Sequence, residues 1–201
     1  MGTMAPSAGP TARRTDPTRR DRIVAATLDL IAERGVSSVS YRALAEMVDV
    51  PLGSMTYHFP SRDELLFMAF SRFADDQFSI LDQAMTDLDP DEDPRERLIG
   101  VIVIVADRAR IRREMAILAE LYAVSIREER YAALTRDWML RARDAIARHF
   151  DAGDAYLLDA VQEGLGLHRY FNPEHVDEAL VRRAIETLAP QRPDQARTPP
   201  E

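Results

Sequence analysis

Apolar residues recur at three- and four-residue spacing along most of the chain, and polar residues fill the gaps. Ile23, Ala26, Leu30 and Ile31 make one such stripe, which predicts an amphipathic helix from about Thr18 to Arg34. Gly35 is the stop, the residue that most readily takes the left-handed turn after a last helical residue. Leu44, Ala45 and Val48 then repeat at helical spacing behind Ser40, whose hydroxyl suits an N-cap. Asp49 fits a turn, and Pro51 fits the first turn of a second short helix, where its missing N–H costs nothing. That helix carries Met55 and Phe59 four apart as its inner face. A fourth helix opens at Ser61, because Ser61-Arg62-Asp63-Glu64 has the capping-box pattern. Its apolar positions run from Leu65 and Leu66 to Leu88. At ~1.5 Å per residue this is about 39 Å, long enough to leave one packed unit and enter another.

An acidic, proline-bounded linker, Asp87 to Pro94, follows. The next helix is predicted from Pro94 to about Arg110. Its Val101-Ile102-Val103-Ile104-Val105 run favours strand by propensity. It reads as helix because no turn signals bound it and nothing else in the chain offers a strand to pair with. Further helices are expected over Arg113 to Ile126, Glu129 to Phe150, Asp154 to Tyr170 and Pro173 to Leu188. Asp151-Ala152-Gly153 and Asn172-Pro173 supply the breaks. The fold class is therefore all-α with about nine helices: a three-helix head over 18–62 and a helical bundle over 63–189. Residues 1–17 and 190–201 are rich in proline and small residues, show no periodicity, and are expected to be disordered.

The pair of short helices around Asp49 reads as a helix-turn-helix. The outer face of its second helix carries Ser54, Thr56, Tyr57 and His58 and no carboxylate. A helix entering a DNA groove needs such a face, since acidic groups there would repel phosphates.

The block from Arg22 to Leu66 resembles the DNA-binding head of TetR/AcrR-type transcriptional regulators. Ile23 to Gly35 is similar to the family's first helix and its glycine stop. Tyr57-His58-Phe59-Pro60-Ser61-Arg62-Asp63-Glu64-Leu65-Leu66 is similar to its most recognisable stretch. The resemblance implies roles for Ser40, Tyr41, Arg42, Pro51, Leu52, Gly53, Ser54, Thr56, Tyr57 and His58 at DNA. Ser40 is expected at a phosphate, Arg42 at a guanine, Ser54 and Thr56 at base edges, and Tyr57 and His58 at phosphates. Pro51-Leu52 stands where the family often has Ser-Lys, which removes one expected phosphate contact. Thr56 stands where the family often has tyrosine and so meets a different base.

The charge at first opposes this reading, because the chain carries a net −8. Its distribution restores it. Residues 1–62 hold eight arginines against six carboxylates, and the remainder holds eighteen against twenty-eight. A mildly basic head on an acidic body results. Cysteine is absent, which leaves no disulfide or thiolate metal site. No run approaches the ~18 apolar residues of a membrane span, and no secretory signal pattern opens the chain. A cytoplasmic protein with no membrane partner is expected.

No catalytic constellation, nucleophile elbow or phosphate-cradling glycine loop is present, so the chain is not expected to be an enzyme or to need a cofactor. The histidines His58, His149, His168 and His175 are expected on the surface rather than at a metal. The resemblance further implies a homodimer, double-stranded operator DNA as partner, and a small-molecule effector that releases a repressor from it. Met115, Tyr122, Trp138 and Met139 are the candidates for an effector pocket. Leu158, Val161, Gly164, Leu165, His168, Val176 and Leu180 are the candidates for the dimer face. A helical adaptor whose head has lost DNA reading is the alternative.

Overall fold

The computed structural model describes residues 17–89, 91–103 and 108–190. The disorder expected of the arm and tail falls almost wholly outside them. Nine α-helices are present among the described residues, with no strand: α1 Pro17–Arg34, α2 Tyr41–Met47, α3 Leu52–His58, α4 Arg62–Thr86, α5 Pro94–Val103, α6 Arg108–Ser125, α7 Glu129–Ile146, α8 Ala152–Phe171 and α9 Glu178–Leu188. A short 3-10 turn, Val36–Ser38, joins α1 to α2.

Local chemistry sets the boundaries. Gly35 closes α1 at φ 78°, and a Cβ there would lie 2.6 Å from the Glu120 carboxylate of α6. Ser40 caps α2 by accepting the Ala43 N–H at 3.2 Å. Asp49 then takes φ 52°, and the Val50 N–H donates to the Ala45 carbonyl at 3.0 Å. This is a Schellman closure with aspartate in the position glycine usually fills. Pro51 stands one place earlier than its sequence suggests, as the extended N-cap of α3 rather than in its first turn.

Ser61 caps α4 and accepts the Glu64 N–H at 3.0 Å. The capping box is only half formed, because the Glu64 carboxylate turns instead to Arg130 of α7 at 2.7 Å. Ser61→Ala is expected to lower stability by about 1 kcal/mol, read as a shift of the urea midpoint at unchanged slope.

Three boundaries differ from the sequence reading, at the start of α6, the end of α7 and the start of α9. The Arg169 guanidinium of α8 donates to the Ile102 and Val103 carbonyls of α5 at 2.9 and 2.8 Å; the expected end of α5 near Arg110 falls across residues outside the described ones. The helical 101–103 part of the valine-isoleucine run agrees with the helix reading; the rest lies outside the described residues. α6 is already helical at Arg108, ahead of the expected start at Arg113. α7 gives way after Ile146 to a turn in which His149 N–H donates to the Ile146 carbonyl at 3.1 Å. α9 starts at Glu178 rather than Pro173, since Asp177 accepts the Leu180 N–H at 2.8 Å and fixes the start.

The buried apolar side chains form two separate cores. The upper one gathers α1, α2, α3 and the first half of α4, to Phe73, with Ile117 and Leu121 of α6 and Tyr131 of α7. The lower one gathers Leu81 and Met85 of α4, α5, Ala142 to Ile146 of α7, α8 and α9. Helices α4 and α7 run through both.

Candidate nucleic-acid interface

The reading pair is built on a buried inner face. Leu44 and Ala45 of α2 and Met55 of α3 are buried, and Phe59, just past α3, has no exposed surface. The Tyr41 hydroxyl donates to the Phe59 carbonyl at 2.9 Å and ties the first residue of α2 to the end of α3. Burial pushes that hydroxyl's pKa up. Tyr41, expected at DNA, is thus a strut inside the head. At the exit of the pair, Arg62 donates to the Val39 and Val36 carbonyls at 2.7 and 2.5 Å and clamps α4 to the loop before α2.

The outer face carries most of the expected contacts. Ser40, Arg42, Pro51, Leu52, Gly53, Thr56 and Tyr57 are exposed, and Ser54 and His58 are half-buried. Tyr57 leaves more than half of its surface outward at 56%, edge-on to His58 with ring centroids 5.1 Å apart. The Thr56 hydroxyl donates to the Gly53 carbonyl at 3.2 Å, which turns its methyl outward. Arg42 is held by Glu46 at 3.2 Å with both side chains in solvent. An exposed i, i+4 pair of this kind is worth only about 0.3–0.5 kcal/mol, so Arg42 exchanges it readily for a stronger acceptor. Arg20 of α1 lies over the Phe59 ring, 5.7 Å from its centroid. The outer surface of α3 therefore offers hydroxyls, a phenol and an imidazole with no carboxylate.

Residues 23–69 match the model of the bacterial regulatory proteins of the tetR family. Over a stretch of 54 residues the chain is 44% identical to the transcriptional repressor KstR of Rhodococcus jostii, 27% of this chain and 26% of that one. SCO1917 of Streptomyces coelicolor A3, a member of the TetR family, superposes with a TM-score of 0.74 and is 30% identical, covering 87% of this chain and 100% of that one. The chain belongs to the TetR family. SCO7518 of Streptomyces coelicolor A3(2), a candidate transcriptional regulator, is 40% identical at a TM-score of 0.77 and the same coverage. The multidrug-binding protein EbrR, solved with imidazole, malachite green and other compounds, is 29% identical at a TM-score of 0.71 over 88% of this chain and 98% of that one. The chain is accordingly a helix-turn-helix DNA-binding regulator of the TetR family.

In this TetR-family body the four expected pocket residues lie on α6 and α7. Trp138 packs on the upper core, edge-on to Phe73 with centroids 6.4 Å apart. Met115 and Met139 are half-buried on α6 and α7. Tyr122 reaches from α6 to α8 and donates to the Glu163 carboxylate. Glu163 and Asp159, one turn apart on α8, both have raised pKa values because burial disfavours their charge. Sequence reasoning missed this pair, since the contact of Glu163 with Tyr122 joins two helices forty-one residues apart. A cleft of about 220 Å³ lies elsewhere, between α1, α4 and α6, and is lined by Leu28, Arg72, Phe73, Ile80, Arg113 and others.

The expected dimer residues divide in two. Leu158 and Val176 are buried in the lower core of their own protomer and have no surface to give. Leu165 and Leu180 pack against that core from its edge. Val161 and Gly164 are half-buried, and His168 is exposed. The outward apolar surface of α8 belongs instead to Tyr156, Leu157, Leu167 and Phe171, the last 67% exposed. Of the stripe expected from Leu158 to His168, Leu158 faces the protomer's own core and His168 faces outward, because α8 is apolar around much of its girth and periodicity alone does not choose a side.

Proposed function

We propose that the chain is a homodimeric, sequence-specific repressor that leaves its operator when a small molecule binds the body. The observation that carries DNA reading is the carboxylate-free outer surface of α3, set by the Asp49 turn and backed by the buried Met55 and Phe59. Repression is the activity named for KstR, which is similar to this chain over 54 residues. Two heads on one duplex would read half-sites ~34–36 Å apart. The cytoplasm is the expected compartment, and none of the described helices is long and apolar enough to cross a membrane.

The dimer face we assign is the outer side of α8, with Tyr156, Leu157, Leu167 and Phe171 around Gly164. Exposed aromatic and aliphatic side chains grouped on one helix mark an association surface. For the effector we favour the space beside Tyr122, with Asp159 and Glu163 as its polar groups. Malachite green and ethidium, both bound by EbrR, are aromatic cations. Two carboxylates one turn apart, Asp159 half-buried and Glu163 bonded to a phenol, suit such a charge.

Binding of the full chain to the DNA upstream of its own gene, followed by mobility shift and footprinting across salt concentrations, tests the reading. A palindromic footprint whose affinity falls steeply with salt is expected. Arg42→Ala should lose about 1–3 kcal/mol of discrimination at one base pair of each half-site. No shift at low salt, and none with DNA selected from a random pool, would leave the adaptor reading in its place.

A further inference from the structure

The reading face is not polar throughout. Between α2 and α3 lies an open hollow of about 430 Å³, lined by Arg42, Ala45, Glu46, Asp49, Val50 and Leu52. Its α3 side is apolar. Leu52, the first residue of α3, is 54% exposed and stands outside the upper core. Val50 beside it is half-buried and rests on that core. Thr56 follows Leu52 by four residues, so the two share one stripe along α3. The Thr56 hydroxyl is engaged with the Gly53 carbonyl, which leaves its methyl to continue the apolar edge that Leu52 begins. A single exposed leucine is ordinary. Here three apolar groups adjoin on the surface that faces DNA.

The charges of the hollow select what it can meet. Its α2 side carries Arg42 paired with Glu46 at 3.2 Å, and the exposed Asp49 stands at the turn. Two carboxylates against one guanidinium disfavour a phosphate, and the Leu52 side chain has no donor to offer one. A base edge is the suitable neighbour. In the major groove adenine presents an amine that can donate to a carboxylate, and its partner thymine presents a 5-methyl group on which apolar side chains pack. Among the four bases only thymine carries that methyl.

We infer that Leu52, with the Thr56 methyl beside it, selects a thymine in each operator half-site by packing on its 5-methyl group. The inference rests on the DNA-binding reading and deepens it by naming the base and the group recognised. Leu52 acts by shape and apolar contact alone. It therefore adds discrimination between bases without adding to the salt dependence of binding, which comes from phosphate contacts.

The test uses the full chain. Its preferred duplex is selected from a random pool, and each thymine in it is then replaced singly by uracil, which removes the 5-methyl and keeps the pairing. One thymine per half-site is expected whose replacement weakens wild-type binding roughly 3–10-fold. Leu52→Ala changes an exposed residue, so its thermal midpoint should match the wild type. It should lose a similar factor on the thymine duplex and nothing further on the uracil one, as two changes to a single contact do. Thr56→Ser keeps the hydroxyl and drops the methyl, and should show a smaller loss of the same kind. Leu52→Lys should bind thymine and uracil duplexes alike, with a logarithmic salt slope steeper by about 0.9 for each phosphate it reaches. A uracil penalty that persists undiminished in Leu52→Ala overturns the assignment, as does a selected duplex in which no thymine is sensitive. Either result leaves the DNA-binding reading standing. A chain that selects no duplex overturns both.

Discussion

Gly164→Arg is expected to give a folded protomer that no longer pairs. Within the protomer, nothing lies within 4 Å of where a Cβ at Gly164 would stand, so the new side chain has room. Replacing a mid-helix glycine also removes about 0.5–1 kcal/mol of helix penalty. The same open position lies among Tyr156, Leu157, Leu167 and Phe171 on the outside of α8. There an arginine would hold two apolar helix faces apart and leave a charge without a partner. Sedimentation should show a dimer for the wild type and a monomer for the variant at equal helix content. Operator affinity should fall with it, by roughly 10²–10⁴-fold, because the second head is no longer tethered beside the first. A variant that still sediments as a dimer would remove α8 from the interface and send the search to another surface.

Phe59→Ala should be the most destabilising single change in the head. Phe59 is fully buried where α3 ends, and its carbonyl receives the Tyr41 hydroxyl. Truncating a buried phenylalanine costs about 3–5 kcal/mol, a large share of the ~5–15 kcal/mol that holds a typical protein. For a chain of this size each kcal/mol moves the midpoint by roughly 2–4 °C, so a fall on the order of 10 °C in calorimetry is expected. The loss should not be confined to the head, because Phe59 shares its core with Ile117, Leu121 and Tyr131. A low-temperature transition confined to residues before 62, with α6 unaffected, would contradict the shared core.

What could be read from the residues follows how local each signal is. The starts of α2 and α4 were legible because Ser40 and Ser61 accept an N–H three residues on, a bond within reach of the sequence itself. The tie between Arg169 of α8 and the Val103 carbonyl of α5 was not, since the two lie sixty-six residues apart. The same distinction separates the two sites. The head's outer face follows from spacing along one short helix, and the structure places Arg42, Thr56 and Tyr57 outward. The Tyr122–Glu163 contact depends on how α6 lies on α8, and no pattern within either helix announces it. Tyr41 shows what resemblance alone does not give: its hydroxyl donates to the Phe59 carbonyl within the head.

The shared upper core also bears on how regulators of this architecture can be recombined. A head exchanged at residue 62 would leave behind the partners that Ile23, Leu30 and Phe59 pack with on α6 and α7, and would bring foreign side chains against Ile117, Leu121 and Tyr131. A chimaera with new operator specificity therefore has two workable designs. It can change only the outward residues of α2 and α3, or it can carry α6 and the first turns of α7 along with the head. Chain order makes the second a transplant of discontinuous pieces, so lineages that diversify by joining segments end to end are steered toward the first.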